Sequence, residues 1–152
     1  MWKKLSIVSL TLWLITICII SYYFYFGSTV QSLDQRTEII ITRTERNMIL
    51  SEMRDLLKGV QQIIRSANQN NFKEVSTTAR SLGIVMASEA GHPALLKKFP
   101  LAFKKLGLGV HRSFDSLADR AESLNTNQVL TETTNIMNSC ITCHATYRLL
   151  DH

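Results

Sequence analysis

The sequence predicts an all-α protein, an antiparallel four-helix bundle preceded by a transmembrane helix. Three observations predict it. The run from Leu5 to Phe26 carries no charged residue, turn signals cut the rest of the chain into four long pieces, and those pieces carry apolar residues at helical spacing. Strand signals are essentially absent: no Asn-Gly or Asp-Gly hairpin occurs, and no alternation is sustained. With 152 residues and 45% hydrophobic content, the chain has room for one ordinary domain plus an extension.

As a helix at about 1.5 Å per residue, Leu5 to Phe26 reaches about 33 Å, enough to cross a bilayer core. Lys3 and Lys4 before it favour a cytoplasmic N-terminus, and Tyr22, Tyr23, Phe24, Tyr25 and Phe26 would form an aromatic belt at the far interface. A cleavable signal peptide is the competing reading. Its apolar core is normally shorter and ends in small residues, whereas only Gly27 and Ser28 come after the aromatics here. Either reading exports the remainder of the chain. Cys18, inside the run, is expected to behave as a small hydrophobe.

The segmentation gives 1–26 as membrane anchor or uncleaved signal, 27–41 as juxtamembrane linker or helical extension of the anchor, and 42–152 as the bundle. Both Ser32-Leu33-Asp34-Gln35 and Thr42-Arg43-Thr44-Glu45 match a capping box, and Ile39-Ile40-Ile41 does not decide between them. The first segment carries Leu50, Met53, Leu57, Val60, Ile64 and Ala67, widened by Ile49, Leu56 and Ile63. It ends at Asn68-Gln69-Asn70-Asn71. A second places Val75, Ala79, Leu82, Val85, Met86 and Ala90 on one face, up to Gly91-His92-Pro93, where His92 reads as a turn residue. The third repeats Phe103, Gly107, Val110, Phe114, Leu117, Ala121 and Leu124. The fourth opens at Asn125 or Thr126 and aligns Val129, Ile136, Met137, Cys140, His144 and Tyr147.

Cys140-Ile141-Thr142-Cys143-His144 fits the haem-attachment pattern of two cysteines two residues apart, followed at once by histidine. On a helix the two sulfurs stand one turn apart, within reach of two vinyl groups on one side of a porphyrin, and His144 projects beside them as an iron ligand. A thioredoxin-like dithiol would need surrounding strands, and zinc would need two more ligands at workable spacing, while His92, His111 and His152 are isolated from one another. Export agrees with covalent haem attachment. One haem c, bound through Cys140 and Cys143 with His144 as proximal ligand, is the expectation.

Read from Cys140 to Arg148 as Cys-Ile-Thr-Cys-His-Ala-Thr-Tyr-Arg, the C-terminal segment resembles the haem helix of cytochrome c′ and its low-spin relatives, the class II cytochromes c. The resemblance covers about residues 40 to 151, and its specific part is the C-terminal location with the trailing Tyr147 and Arg148. It implies a four-helix bundle. It also implies that Arg148, one turn past His144, sits near the proximal face. Arg46 would stand near a propionate, with Leu50 and Met53 on the distal wall. Without haem, Leu50 and Met53 are plain core residues and Arg46 a solvated charge at a helix start.

Met53 is the candidate sixth ligand, while Leu50 over the iron would leave an open site for small gases. Met48, Met86 and Met137 read as core filling, and His111, beside Arg112 and off the main stripe, as a boundary or surface histidine. Lys97, Lys98, Lys104 and Lys105 form a basic patch, either a solvated face or a docking surface for a redox partner or anionic lipid. The formal charge of +5, less Lys3 and Lys4, leaves +3, too little for a nucleic-acid-binding face. No second constellation reads as an enzyme site. The expected function is single-electron transfer at the periplasmic side of the cytoplasmic membrane; the alternative is capture of nitric oxide or carbon monoxide at a five-coordinate haem. Membrane and redox proteins are the expected partners, and a homodimer is compatible with the chain.

Overall fold

A computed structural model describes residues 2–90 and 93–151. The chain is mostly helical, with a small three-stranded sheet, and it opens on α1 (Trp2–Phe26). Within α1, Lys4–Phe26 has a mean hydropathy of 2.1 and is long and apolar enough to cross a membrane. The helix stops at Gly27, whose φ of +66° no other residue type adopts as cheaply.

The stretch expected as linker or helical extension is instead a hairpin: β1 (Thr29–Gln31) pairs antiparallel with β2 (Thr37–Ile41). Ser32 to Gln35, one of the two capping-box matches, forms the turn, with Gln35 at φ 68° and the Ser32 amide donating to the Arg36 carbonyl at 2.9 Å. The β-branched run Ile39-Ile40-Ile41 is the centre of the sheet, with Ile39 and Ile41 buried. The other capping box is real: the Glu45 amide donates to Thr42 Oγ1, the Thr42 amide donates to the Glu45 carboxylate at 2.7 Å, and α2 runs Arg43–Asn68.

After the Gln69–Asn71 turn, α3 (Phe72–Ser81) begins under an Asn71 cap. Spacing predicts one continuous second segment, but the chain breaks at Leu82-Gly83 before α4 (Ile84–Ala90). Asp115 explains the break: its carboxylate accepts the Ile84 amide at 2.9 Å and lies where a Cβ on Gly83 would stand. Val85, expected on the inner face, is exposed in consequence. Gly91 and the predicted turn residue His92 lie outside the described residues. The short α5 (Pro93–Leu96) leads into α6 (Leu101–Arg120), and α7 (Thr126–Thr146) starts at a second reciprocal cap, Asn125 with Gln128.

Helices α2, α3, α6 and α7 pack in a ring of antiparallel neighbours. Gln62 meets Glu74 at 2.6 Å, Ser76 donates to the Ala118 carbonyl at 2.7 Å, Arg120 pairs with Glu132 at 2.7 Å, and Thr126 donates to the Ala67 carbonyl at 3.1 Å. Val60, Ile63, Val75, Val110, Phe114, Leu117 and Val129 fill the ring. Leu57, placed on the apolar stripe by spacing, is 69% exposed; of that stripe Val60 and Ala67 are buried, together with Ile49 and Ile63 from its widening.

A pure bundle is therefore not what the chain forms. β3 (Tyr147–Asp151) leaves the end of α7 and pairs parallel with β2, in the order β1-β2-β3. A second apolar cluster of Ile39, Ile41, Ile49, Leu95 and Phe99, joined by Met53, Phe103, Tyr147 and Leu149, sits under this sheet. Helix α1 is attached at the same end: the Ser28 amide donates to the Lys98 carbonyl at 2.8 Å, and Gly27 presses against the Lys98–Pro100 backbone.

Candidate haem-attachment turn

Cys140, Cys143 and His144 all lie in the last two turns of α7. The two thiols are half-buried, and Cys140 packs against the ring core, while the His144 side chain is exposed. Burial pushes both thiols up, Cys143 to about 11 with help from its neighbour Cys140. They are therefore protonated at neutral pH, unlike the depressed thiols of redox dithiols. Among the described residues no three His, Cys, Asp or Glu side chains converge on a metal position.

The surface beside this turn is apolar. On α7, Glu132 marks the side facing α6, so the opposite side, with Met137, Ile141 and His144, is turned toward α2. On α2, Glu52, Gly59 and Gln62 face α3 and α6, so Leu50 and Leu57 are on the side turned toward α7. The two helices run antiparallel, with Thr126 at the start of α7 donating to the Ala67 carbonyl near the end of α2. Leu57 on α2 is 69% exposed, and on α7 Ile141 is 64% and Met137 39% exposed, with His144 three residues beyond Ile141. Two thiols, an imidazole and an apolar wall suit a porphyrin.

The remaining expected residues are scattered around this turn. Met53 is half-buried in the second cluster, alongside Tyr147 and Leu149, whereas Leu50 is outside that cluster. Arg46 lies in the first turn of α2, 3.9 Å from Asp151. Arg148 does not stand one helical turn past His144, as the resemblance implies; α7 ends at Thr146, so Arg148 is in β3, its guanidinium 3.3 Å from Glu38, 3.3 Å from Ser32 and 3.6 Å from Asp34. The change from helix to strand turns it toward the hairpin. Arg36, which spacing gives no reason to single out, donates to the His144 carbonyl at 3.4 Å from across 108 positions.

His111 is a buried residue, not a boundary or surface one. Its Nδ1 donates to the Leu82 carbonyl at 2.7 Å, and its Nε2 is 3.4 Å from Glu52. The break after α3 leaves the Leu82 carbonyl available for it. The four lysines are also unequal: Lys98 is held by Glu45 at 2.7 Å, Lys104 stands 5.0 Å from the Phe24 ring centre, and Lys97 and Lys105 are exposed. The patch thus adjoins the C-terminal end of α1.

Comparison with protein-family models, with curated proteins and with solved structures gives no match.

Proposed function

We propose that this chain is a membrane-anchored c-type cytochrome of class II character, built on a four-helix bundle, that carries single electrons on the periplasmic side of the cytoplasmic membrane. The observation that carries the reading is the Cys140, Cys143 and His144 turn at the end of α7, on the same helix as the exposed apolar Met137 and Ile141. Cys140 and Cys143 would hold the haem covalently, each thiol as a thioether to one porphyrin vinyl group, and His144 would ligate the iron. When bound, haem supplies a one-electron ferric/ferrous couple. Leu50, Leu57, Met137 and Ile141 exclude water from it, and Arg36 fixes the end of α7 that bears the ligand.

Denaturing the protein and extracting it with acidified organic solvent tests this. The colour stays with the polypeptide, and replacing both Cys140 and Cys143 by alanine releases it. Colour passing wholly into the organic phase from the parent protein would overturn the reading.

One observation favours the gas-binding alternative. Met53 is packed against the second cluster, as are Phe103 and Tyr147, while Leu50, nearly one turn before it on α2, is outside that cluster and cannot ligate. An open sixth position gives a high-spin ferric spectrum, carbon monoxide binding, and no change in Met53→Ala. A low-spin spectrum that turns high-spin in Met53→Ala assigns the sixth ligand to Met53 and the protein to electron transfer alone.

A further inference from the structure

A second site lies where the anchor meets the domain. A cleft of about 320 Å³ is lined by Tyr25 and Phe26 at the outer end of α1, Thr29, Val30 and Gln31 of β1, Thr37 of β2, Pro100 and Ala102 at the start of α6, and Tyr147. Its size falls within the range of small-molecule sites, about 300–1,000 Å³. Its floor is one row across the sheet, because Gln31 pairs with Thr37 and Thr37 pairs with Tyr147. That row and the adjoining Tyr25 offer hydroxyls and one amide, the Thr29 hydroxyl already donates to the Phe26 carbonyl at 3.3 Å, and Phe26, Val30 and Pro100 supply apolar wall. The Gln31 amide nitrogen is already committed to the Gln35 carbonyl at 2.6 Å, which leaves its oxygen as an acceptor.

Location decides the ligand class. Tyr25 and Phe26 end the apolar helix, at the depth where aromatic side chains meet the headgroup layer, so the cleft opens at the membrane interface and not into bulk water. At its other end Tyr147 donates its backbone amide to the Cys143 carbonyl, and burial, together with the nearby Cys143, pushes its phenol up, keeping it a hydrogen-bond donor. The cleft therefore joins the lipid phase directly to the turn that bears Cys143 and His144.

We propose that the cleft binds the head group of a membrane-borne hydroquinone, which delivers electrons to the haem of the proposed cytochrome; the inference rests on that reading for its acceptor. The Tyr147 hydroxyl donates to one ring oxygen, and the Gln31 carbonyl oxygen accepts from a ring hydroxyl. Oxidation to the quinone releases two electrons and two protons. The electrons leave singly, each converting one ferric haem to ferrous, and the first passes to an exported one-electron acceptor protein before the second leaves. Both protons leave to water on the outer side.

The full chain in phosphatidylcholine nanodiscs tests this with a short-chain azidobenzoquinone photoprobe. Label is expected on the peptides carrying Tyr25 to Gln31 and Ala102, displaced by unlabelled duroquinone. In Ala102→Trp, which fills the cleft from an exposed position, labelling and haem reduction by duroquinol both fall at least about tenfold, and Thr37→Val lowers duroquinol reduction about fivefold. Dithionite reduces all three proteins equally, and their far-UV spectra match. Label elsewhere, label that duroquinone does not displace but phosphatidylglycerol does, or duroquinol reduction unchanged in both variants overturns the proposal. If the protein carries no haem, the cytochrome reading fails separately, and displaceable labelling still decides whether the cleft is a quinone site.

Discussion

Within the helical ring, His111 holds two neighbours at once. Burial alone would push its imidazole down, but the Glu52 carboxylate and the Leu82 and Gly83 carbonyls outweigh it, so the net direction is upward from 6.5. The charged ring suits these contacts, because it offers a proton to the carbonyl from one nitrogen and to the carboxylate from the other. A folded value above the unfolded one means that the stabilisation is complete below about pH 6.5 and is lost as pH rises through the folded value. In Glu52→Gln the carboxylate is gone and burial is left to favour the neutral ring. Thermal unfolding of the full chain in detergent, followed by far-UV dichroism between about pH 6 and 8, should show Tm falling more with pH in the parent than in Glu52→Gln. Parallel slopes would sink the assignment. Spacing sets this histidine off the stripe because its partners come from α2 and from the break after α3, neither of which is adjacent in sequence.

Among the elements, the sheet is where packing overrides local pattern. Ile39 is 0% exposed at the centre of β2, flanked by strands from both ends of the domain. Ile39→Ala is expected to cost about 2–5 kcal/mol in denaturant unfolding, whereas Val85→Ala, on an exposed position of α4, should stay within about 0.5 kcal/mol. Equal losses at the two sites would contradict the burial order. The helices are legible because their signals are local: reciprocal caps at Thr42 and Asn125, Asn-rich turns, and apolar spacing of three and four. β3 is not, since Tyr-Arg-Leu-Leu-Asp carries no β-branched residue and its partner Thr37-Glu38-Ile39-Ile40-Ile41 is over a hundred positions away. The same blindness hides the site's surroundings. The Cys140 to His144 turn is contiguous and its spacing is legible, but Arg36, the Gln31-Thr37-Tyr147 row and the strand position of Arg148 exist only after the ends of the domain meet.

At the scale of the whole molecule, the junction between anchor and domain bears on whether α1 is kept. Gly27 is buried, its amide donates to the Tyr23 carbonyl at 3.0 Å, and a Cβ there would stand 2.3 Å from the Lys98 carbonyl oxygen and 2.6 Å from the Pro100 nitrogen. Ser28 is held from both sides, its amide by Lys98 at 2.8 Å and its carbonyl by the Ile40 amide at 2.9 Å. Cleavage next to these residues would require this packed segment to be pulled out, so the folded domain protects the only small-residue position at which a signal could be removed. The aromatic end of α1 is also part of the domain's own packing, through Phe24 under Lys104 and through the wall of the interfacial cleft. Full-length protein should therefore remain in the membrane pellet after an alkaline carbonate wash, with an intact mass that includes α1. Gly27→Val, which forces a side chain against backbone at a positive φ, should leave it membrane-bound but open the hairpin to limited proteolysis between Gly27 and Arg36. A mature N-terminus at Gly27 or Ser28, with the protein free in the soluble fraction, would refute retention and make α1 a signal.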